Sequence, residues 1–173
     1  KKLMKSKGNI VFLGMMGSGK TSIGKLISYK LKIDFFDIDK EIEINVKSKI
    51  SKIFTDRGED YFRKLEEKTS INILKRKKVV IALGGGGFLN KKIRDEILMN
   101  HTSFWLNWDP KILVERIKNS SKRPLAFNST EDELFEIIKK RSNIYSKALY
   151  KINCNNLSKV QVVNKVLNIY ETN

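Results

Sequence analysis

Short apolar runs alternate along the chain with segments of helical spacing. Residues 10–13 are uniformly apolar and stop at Gly14, after which Ile23, Leu26, Ile27 and Leu31 recur at intervals of one to four. The first pattern fits a strand buried on both faces, the second a helix over 21–31 with its core stripe on those four residues. Phe35-Phe36 forms a second strand, followed by two brief helices over 38–46 and 50–54. A helix over 59–76, with Phe62, Leu65 and Ile73 on one side, leads to a third strand at 79–83. A helix at 91–99 precedes a fourth strand at 103–106, and Asp109-Pro110 opens the next helix as an N-cap and first-turn pair. A helix over 131–146, a weaker strand at 150–154 and an amphipathic helix over 160–170 follow. Strands that alternate with helices predict an α/β protein of three layers, α/β/α, with a five-stranded parallel sheet flanked by helices.

No linker or internal repeat interrupts residues 1–173, which read as one domain with a core large enough to fold without disulfides. The stretch from 119 to 130 lacks periodicity, is polar and contains Pro124, so it reads as a lid loop. A lone cysteine, Cys154, excludes an internal disulfide framework, and no His/Cys cluster has metal-site spacing. Both fit a reducing, cytoplasmic setting. No apolar stretch approaches the ~20 residues of a membrane span. Lys1, Lys2, Lys5 and Lys7 ahead of residues 10–13 resemble a secretion signal, but the apolar run passes directly into a glycine-rich loop and reads as a strand. The net charge of +16 attracts anions of every kind without choosing among them. The lysines are scattered and no nucleic-acid-binding signature accompanies them, so the charge reads as a solvated surface and no nucleic-acid partner is expected.

Gly14-Met15-Met16-Gly17-Ser18-Gly19-Lys20-Thr21 meets every fixed position of the phosphate-loop pattern, between strand and helix as that pattern requires. Glycines let backbone N–H groups turn onto phosphates, the helix N-terminus adds positive potential, Lys20 reaches the β and γ oxygens, and Thr21 offers a hydroxyl to Mg²⁺. The fold is therefore of the P-loop NTPase type, binding ATP or a related triphosphate through Gly14, Gly17, Ser18, Gly19, Lys20, Thr21 and Ser22. The loop does not name the second substrate, because kinases, GTPases, helicases and motors share it.

Asp37 and Asp39 stand one residue apart at the carboxyl end of the second strand, where parallel sheets present ligand groups. Taken with Phe62-Arg63-Lys64-Leu65-Glu66, Gly84-Gly85-Gly86, Arg123-Pro124-Leu125 and Arg141-Ser142-Asn143-Ile144-Tyr145, this pair resembles shikimate kinase from about residue 9 to 148. The resemblance implies transfer of the γ-phosphate of MgATP to the 3-hydroxyl of shikimate, on the route to aromatic amino acids, by a cytoplasmic monomer. It places Asp37 with Thr21 at the Mg²⁺ site and makes Asp39 the acceptor contact and candidate base; the other reading of Asp39 is a helix N-cap. Arg63 and Arg141 match the carboxylate-binding arginines. Each has an alternative reading, Arg63 as a partner of Glu66 or Glu67 and Arg141 as part of a basic face with Lys139 and Lys140; Glu66 could also lock Arg63 in place.

Gly84, Gly85 and Gly86 match the family glycines beside the acceptor. A run of four glycines costs too much chain entropy for a casual turn and implies close backbone approach to a ligand; the additional Gly87 is expected to loosen the turn. Arg123, in the lid, matches the arginine that closes on the phosphates, with Lys122 as a partial substitute. Arg116 matches a position that lies against adenine, or is a solvated helix residue. The chain departs from the family after its last strand, where Asn153-Cys154-Asn155-Asn156-Leu157 replaces a basic, proline-containing loop and leaves the adenine to be reached by the backbone of Asn155 and Asn156. It also carries Ala126 where a leucine is common. Competing readings are a gluconate or nucleoside monophosphate kinase, which would need different acceptor residues, and a nucleotide-gated nucleic-acid-binding module.

Overall fold

The computed structural model describes residues 8–119 and 130–173. Five strands, β1 (Ile10–Leu13), β2 (Asp34–Asp37), β3 (Val79–Ala82), β4 (Thr102–Asn107) and β5 (Tyr150–Asn153), form one parallel sheet in the order β2-β3-β1-β4-β5. The chain leaves β1 toward one edge of the sheet and crosses from β3 to β4 toward the other. Ligands of open α/β sheets lie outside the carboxyl ends of the strands at such a reversal. The residue at the carboxyl end of β1 is Gly14.

Successive side chains of a strand point to opposite faces, and β1 divides accordingly. Ile10 and Phe12 pack with Val80, Phe104 and Ile152 beneath helices α1 (Lys20–Leu31) and α8 (Lys159–Thr172). Val11 and Leu13 face the other layer, built from α2 (Ile38–Val46), α3 (Ile50–Arg57), α4 (Glu59–Leu74), α5 (Lys91–Asn100), α6 (Pro110–Lys118) and α7 (Glu131–Tyr145). Both faces are covered, which is why β1 and β3 are apolar throughout rather than alternating.

Most elements fall where the apolar spacing puts them, and the differences have local causes. α3 runs three residues beyond the expected Phe54 because its terminator is Gly58, at φ 84°. α4 ends at Leu74 rather than Arg76, since the turn into β3 needs Lys78 at φ 55°. Asn9 secures that turn: its buried amide donates to the carbonyls of Leu74 (3.2 Å) and Arg76 (2.8 Å), and its Oδ1 accepts from Val79 N (3.1 Å). Of the residues expected on the core stripe of α1, Leu26 is exposed, whereas Ile23 and Ile27 face inward as expected, joined by Gly24. Asp109 does cap α6, accepting from Lys111 N at 2.9 Å ahead of Pro110. The lid expectation for 119–130 falls almost wholly outside the described residues, and Lys122, Arg123, Pro124, Leu125 and Ala126 all lie there.

Candidate active site

A cleft of about 840 Å³ opens at the carboxyl ends of the strands, with the phosphate loop on one side and α2 to α4 on the other. Gly14 and Gly19 take φ values of 143° and 97°, a region that favours glycine, and a Cβ on Gly14 would stand 2.9 Å from the Leu106 carbonyl. Gly19 is also the N-cap of α1, whose first turn holds no acidic residue, so the positive end of the helix faces the cleft uncompensated. The Lys20 ammonium donates to the carbonyls of Gly14 (2.6 Å) and Met15 (3.0 Å), inside the loop it belongs to. Gly17, Ser18, Gly19, Lys20, Thr21 and Ser22 all line the cleft.

Asp37 closes β2 and caps α2: its Oδ1 accepts from Lys40 N at 3.3 Å. Its Oδ2 accepts from the Thr21 hydroxyl at 2.7 Å. The helix-cap reading of Asp39 is thereby overturned, since the cap is two residues earlier and Asp39 sits in the first turn of α2. From there its carboxyl faces the cleft. Burial raises its pKa to about 6, aided by the charges of Asp37, Glu66 and Glu43 and opposed by Lys20. At neutral pH the group is mostly ionised yet basic enough to take a proton.

Arg63, on α4, donates from Nη1 to Glu66 Oε1 at 2.9 Å and approaches Glu59 at 3.5 Å. Glu66 is buried, and its pKa is raised by that burial against the pull of Arg63. Arg63 therefore pairs with Glu66, as its alternative reading expected, and at the same time lines the cleft. The glycine run explains how these charged groups fit. A Cβ on Gly84 would stand 2.7 Å from Asp39 Oδ1 and 3.0 Å from Glu66 Oε2. On Gly85 it would meet Arg141 Nη1 at 3.2 Å, and on Gly86 it would fall inside the Arg63 guanidinium. The run is empty of side chains because the side chains of the site occupy that space.

Gly87 does not loosen this turn. Its N–H donates to the Gly84 carbonyl at 3.0 Å as it enters a short 3₁₀ turn (Gly87–Leu89). Arg141 projects from α7 to the cleft wall, so it is more than part of a basic face. One turn later, the buried Tyr145 hydroxyl donates to the Gly85 carbonyl and lies 3.8 Å from Met15 Sδ, joining the glycine run to the base of the phosphate loop. Burial pushes the Tyr145 phenol up to about 12, so it remains a donor throughout the working range of pH.

Arg116 also lines the cleft, donating from Nε to the Gly17 carbonyl at 2.8 Å. Asn155 is not on the wall: its Oδ1 accepts from Asp109 N at 2.8 Å, which ties the loop after β5 to the start of α6. Among the described residues, no group of three or more His, Cys, Asp or Glu could hold a metal. The Thr21 hydroxyl and Asp37 carboxylate nevertheless form a hard oxygen pair beside the phosphate loop. That pair fits Mg²⁺ delivered with a nucleotide, an ion that keeps several waters and takes few protein ligands. Sequence reasoning gave no role to Tyr145 or Trp108. Trp108 follows β4 at the carboxyl end of the sheet, a position that signals a ligand neighbour in this fold class.

A family model described as shikimate kinase matches residues 16–171. A shikimate kinase of Thermodesulfovibrio yellowstonii is 37% identical over 164 residues, covering 94% of this chain and 95% of its own. One from Bacillus subtilis is 37% identical over 167 residues, covering 92% and 87%. The solved shikimate kinase of Acinetobacter baumannii in complex with shikimate superposes with a TM-score of 0.91 at 28% identity, covering 99% of this chain and 97% of its own. With the phosphate loop, the aspartate pair and the glycine run already in one cleft, the chain belongs to the shikimate kinase family.

Proposed function

We propose that the cleft transfers the γ-phosphate of ATP to the 3-hydroxyl of shikimate, with the labour divided among the residues described. The observation that carries this reading is the meeting of Asp39, Arg63 and Arg141 around Gly84 to Gly86, across from the phosphate loop. Two guanidinium groups on one wall suit the ring carboxylate of a small acid, and a carboxylate between them and the phosphate loop suits a hydroxyl.

In this mechanism Arg63, held by Glu66, and Arg141 bind the acceptor carboxylate and set the ring's orientation. Asp39 accepts a hydrogen bond from the 3-hydroxyl, aims its oxygen at the γ-phosphorus and takes its proton as the new P–O bond forms. The bond from the γ-phosphorus to the β–γ bridging oxygen breaks, and ADP leaves. Such transfers depend mainly on positioning and on neutralising charge. Lys20 and the N-terminus of α1 supply that charge, with Arg123 added from outside the described residues. Mg²⁺, held by Thr21 and Asp37, would neutralise the β- and γ-phosphate oxygens. Arg116 neighbours the adenine. We place the enzyme in the cytoplasm as a monomer that does not engage nucleic acid. Among the described residues no helix is long and apolar enough to cross a membrane.

Release of ADP from MgATP against shikimate, quinate, gluconate and nucleoside monophosphates tests the reading. Turnover with shikimate well above the others is expected; its absence overturns the assignment.

A further inference from the structure

Two carbonyls of the phosphate loop are held from outside the loop. Trp108, the first residue after β4, packs against both hydrophobic layers, and its indole Nε1–H donates to the Ser18 carbonyl at 2.8 Å. Arg116, on α6, donates from Nε to the neighbouring Gly17 carbonyl at 2.8 Å. The Arg116 guanidinium lies 4.3 Å from the centroid of the Trp108 ring, so one stacked unit makes both bonds. A trans peptide carries its N–H and C=O on opposite edges of a rigid plane. Anchoring the Ser18 carbonyl therefore aims the Gly19 N–H away from Trp108. Anchoring the Gly17 carbonyl fixes the plane whose N–H, that of Ser18, donates to the Met15 carbonyl at 3.1 Å.

We propose that Trp108 is a nucleotide-positioning residue, which orients the Ser18–Gly19 peptide for phosphate and holds Arg116 flat with its other face toward the purine. The proposal rests on the reading of residues 14–21 as the phosphate loop and of Arg116 as the neighbour of the base. Trp108 is absent from the cleft wall and acts through the backbone and through Arg116. The acceptor half of the cleft, around Asp39 and Arg63, is untouched by it. Trp108 thus acts on nucleotide binding and leaves shikimate binding alone.

The test replaces Trp108 by Phe, which keeps an aromatic face but loses the donor, and by Leu, which loses both. An isosteric replacement with β-(3-benzothienyl)alanine, sulfur standing for N–H, preserves packing should Phe unsettle the fold. Loss of one hydrogen bond predicts about fivefold weaker binding of MgADP and of tripolyphosphate for Phe and for the benzothienyl variant, and a matching rise in the KM for ATP. The kcat and the KM for shikimate stay within twofold. Passing from Phe to Leu frees Arg116 and with it the Gly17 carbonyl, so MgADP weakens further, while tripolyphosphate, which has no base, weakens by less. Wild-type MgADP affinity in the benzothienyl variant overturns the proposal, as does parallel weakening of ATP and shikimate with a lowered melting temperature. Wild-type MgADP affinity in Lys20→Ala would instead overturn the phosphate-loop reading on which the proposal rests.

Discussion

Glu66, only 2% exposed, grips Arg63 at 2.9 Å and so fixes a guanidinium that would otherwise sweep a flexible four-bond arc. A charge-assisted contact of this kind orients its donor as well as attracting it. Replacing Glu66 by Ala leaves Arg63, among the described residues, the exposed Glu59 as its acidic partner, 3.5 Å away. The KM for shikimate should rise roughly tenfold or more, the scale of a displaced positioning group, while the KM for ATP stays within twofold. Steady-state kinetics with each substrate varied in turn decides it; an unmoved shikimate KM would sink the clamp.

Asp39 bears on both chemistry and stability. Asp39→Asn removes the proton acceptor, and kcat should fall by roughly 10²-fold or more with near-normal binding of MgADP. Because the folded pKa of about 6 lies above the ordinary 3.8, the folded state holds more protons than the unfolded one between those values. The stabilisation by protonated Asp39 is therefore fully present below about pH 4 and is lost as pH rises through about 6. Near pH 7.5 the ligand-free Asn variant should be more stable than wild type by on the order of 1–3 kcal/mol, with the gap closing toward pH 4. Thermal melts across that range would show the reverse trend if burial did not dominate.

The glycine run makes a contrast between neighbours. Gly86→Ala drives a methyl into the Arg63 guanidinium, whereas Gly87→Ala places one 3.6 Å from Leu83, an ordinary contact. The first variant should lose at least about tenfold in kcat/KM for shikimate, and the second should fall within about threefold of wild type. Equal activity of the two would refute the crowding argument.

His101 accepts a hydrogen bond from Asn9 N at 3.0 Å through Nδ1 and lies 3.3 Å from Glu96 through Nε2. Burial lowers its pKa, with Glu96 opposing, so protonation competes with the bond to Asn9. The unfolded chain then binds the proton more readily. The stability is complete above about pH 6.5 and is lost as pH falls below it toward the folded pKa. Between pH 7.5 and 5.5, the melting temperature of wild type should drop more than that of His101→Asn; parallel curves would contradict this.

The donor half of the site was largely legible because it is local: eight consecutive residues, 14–21, specify their own conformation, and a two-sided strand announces where they begin. The proposed acceptor half was legible only in fragments without the resemblance: the strand end marked Asp37 and Asp39 and the glycine run implied a close approach, but Asp39, Arg63, Gly84 to Gly86 and Arg141 come from separate elements, and no periodicity brings them together. What escaped are the links between segments. The bonds from Trp108 to Ser18 and from Tyr145 to Gly85 join residues 90 and 60 positions apart, and either side chain reads in sequence as ordinary core. The glycines were correctly linked to close approach, but the approaching groups are the protein's own charges. Helix ends drifted by a few residues where Gly58 and Lys78 take positive φ, a choice the apolar pattern does not encode.

Asp37 holds Thr21 with one oxygen and begins α2 with the other, and α2 carries Asp39. On the proposed roles of Thr21 and Asp39, one carboxylate therefore answers to two substrates, and a change there cannot retune the nucleotide without also disturbing the hydroxyl's partner. Evolution or engineering can adjust the acceptor wall at Arg63 or Arg141 piecemeal, but position 37 is shared property, where adaptation to either substrate is constrained by the other.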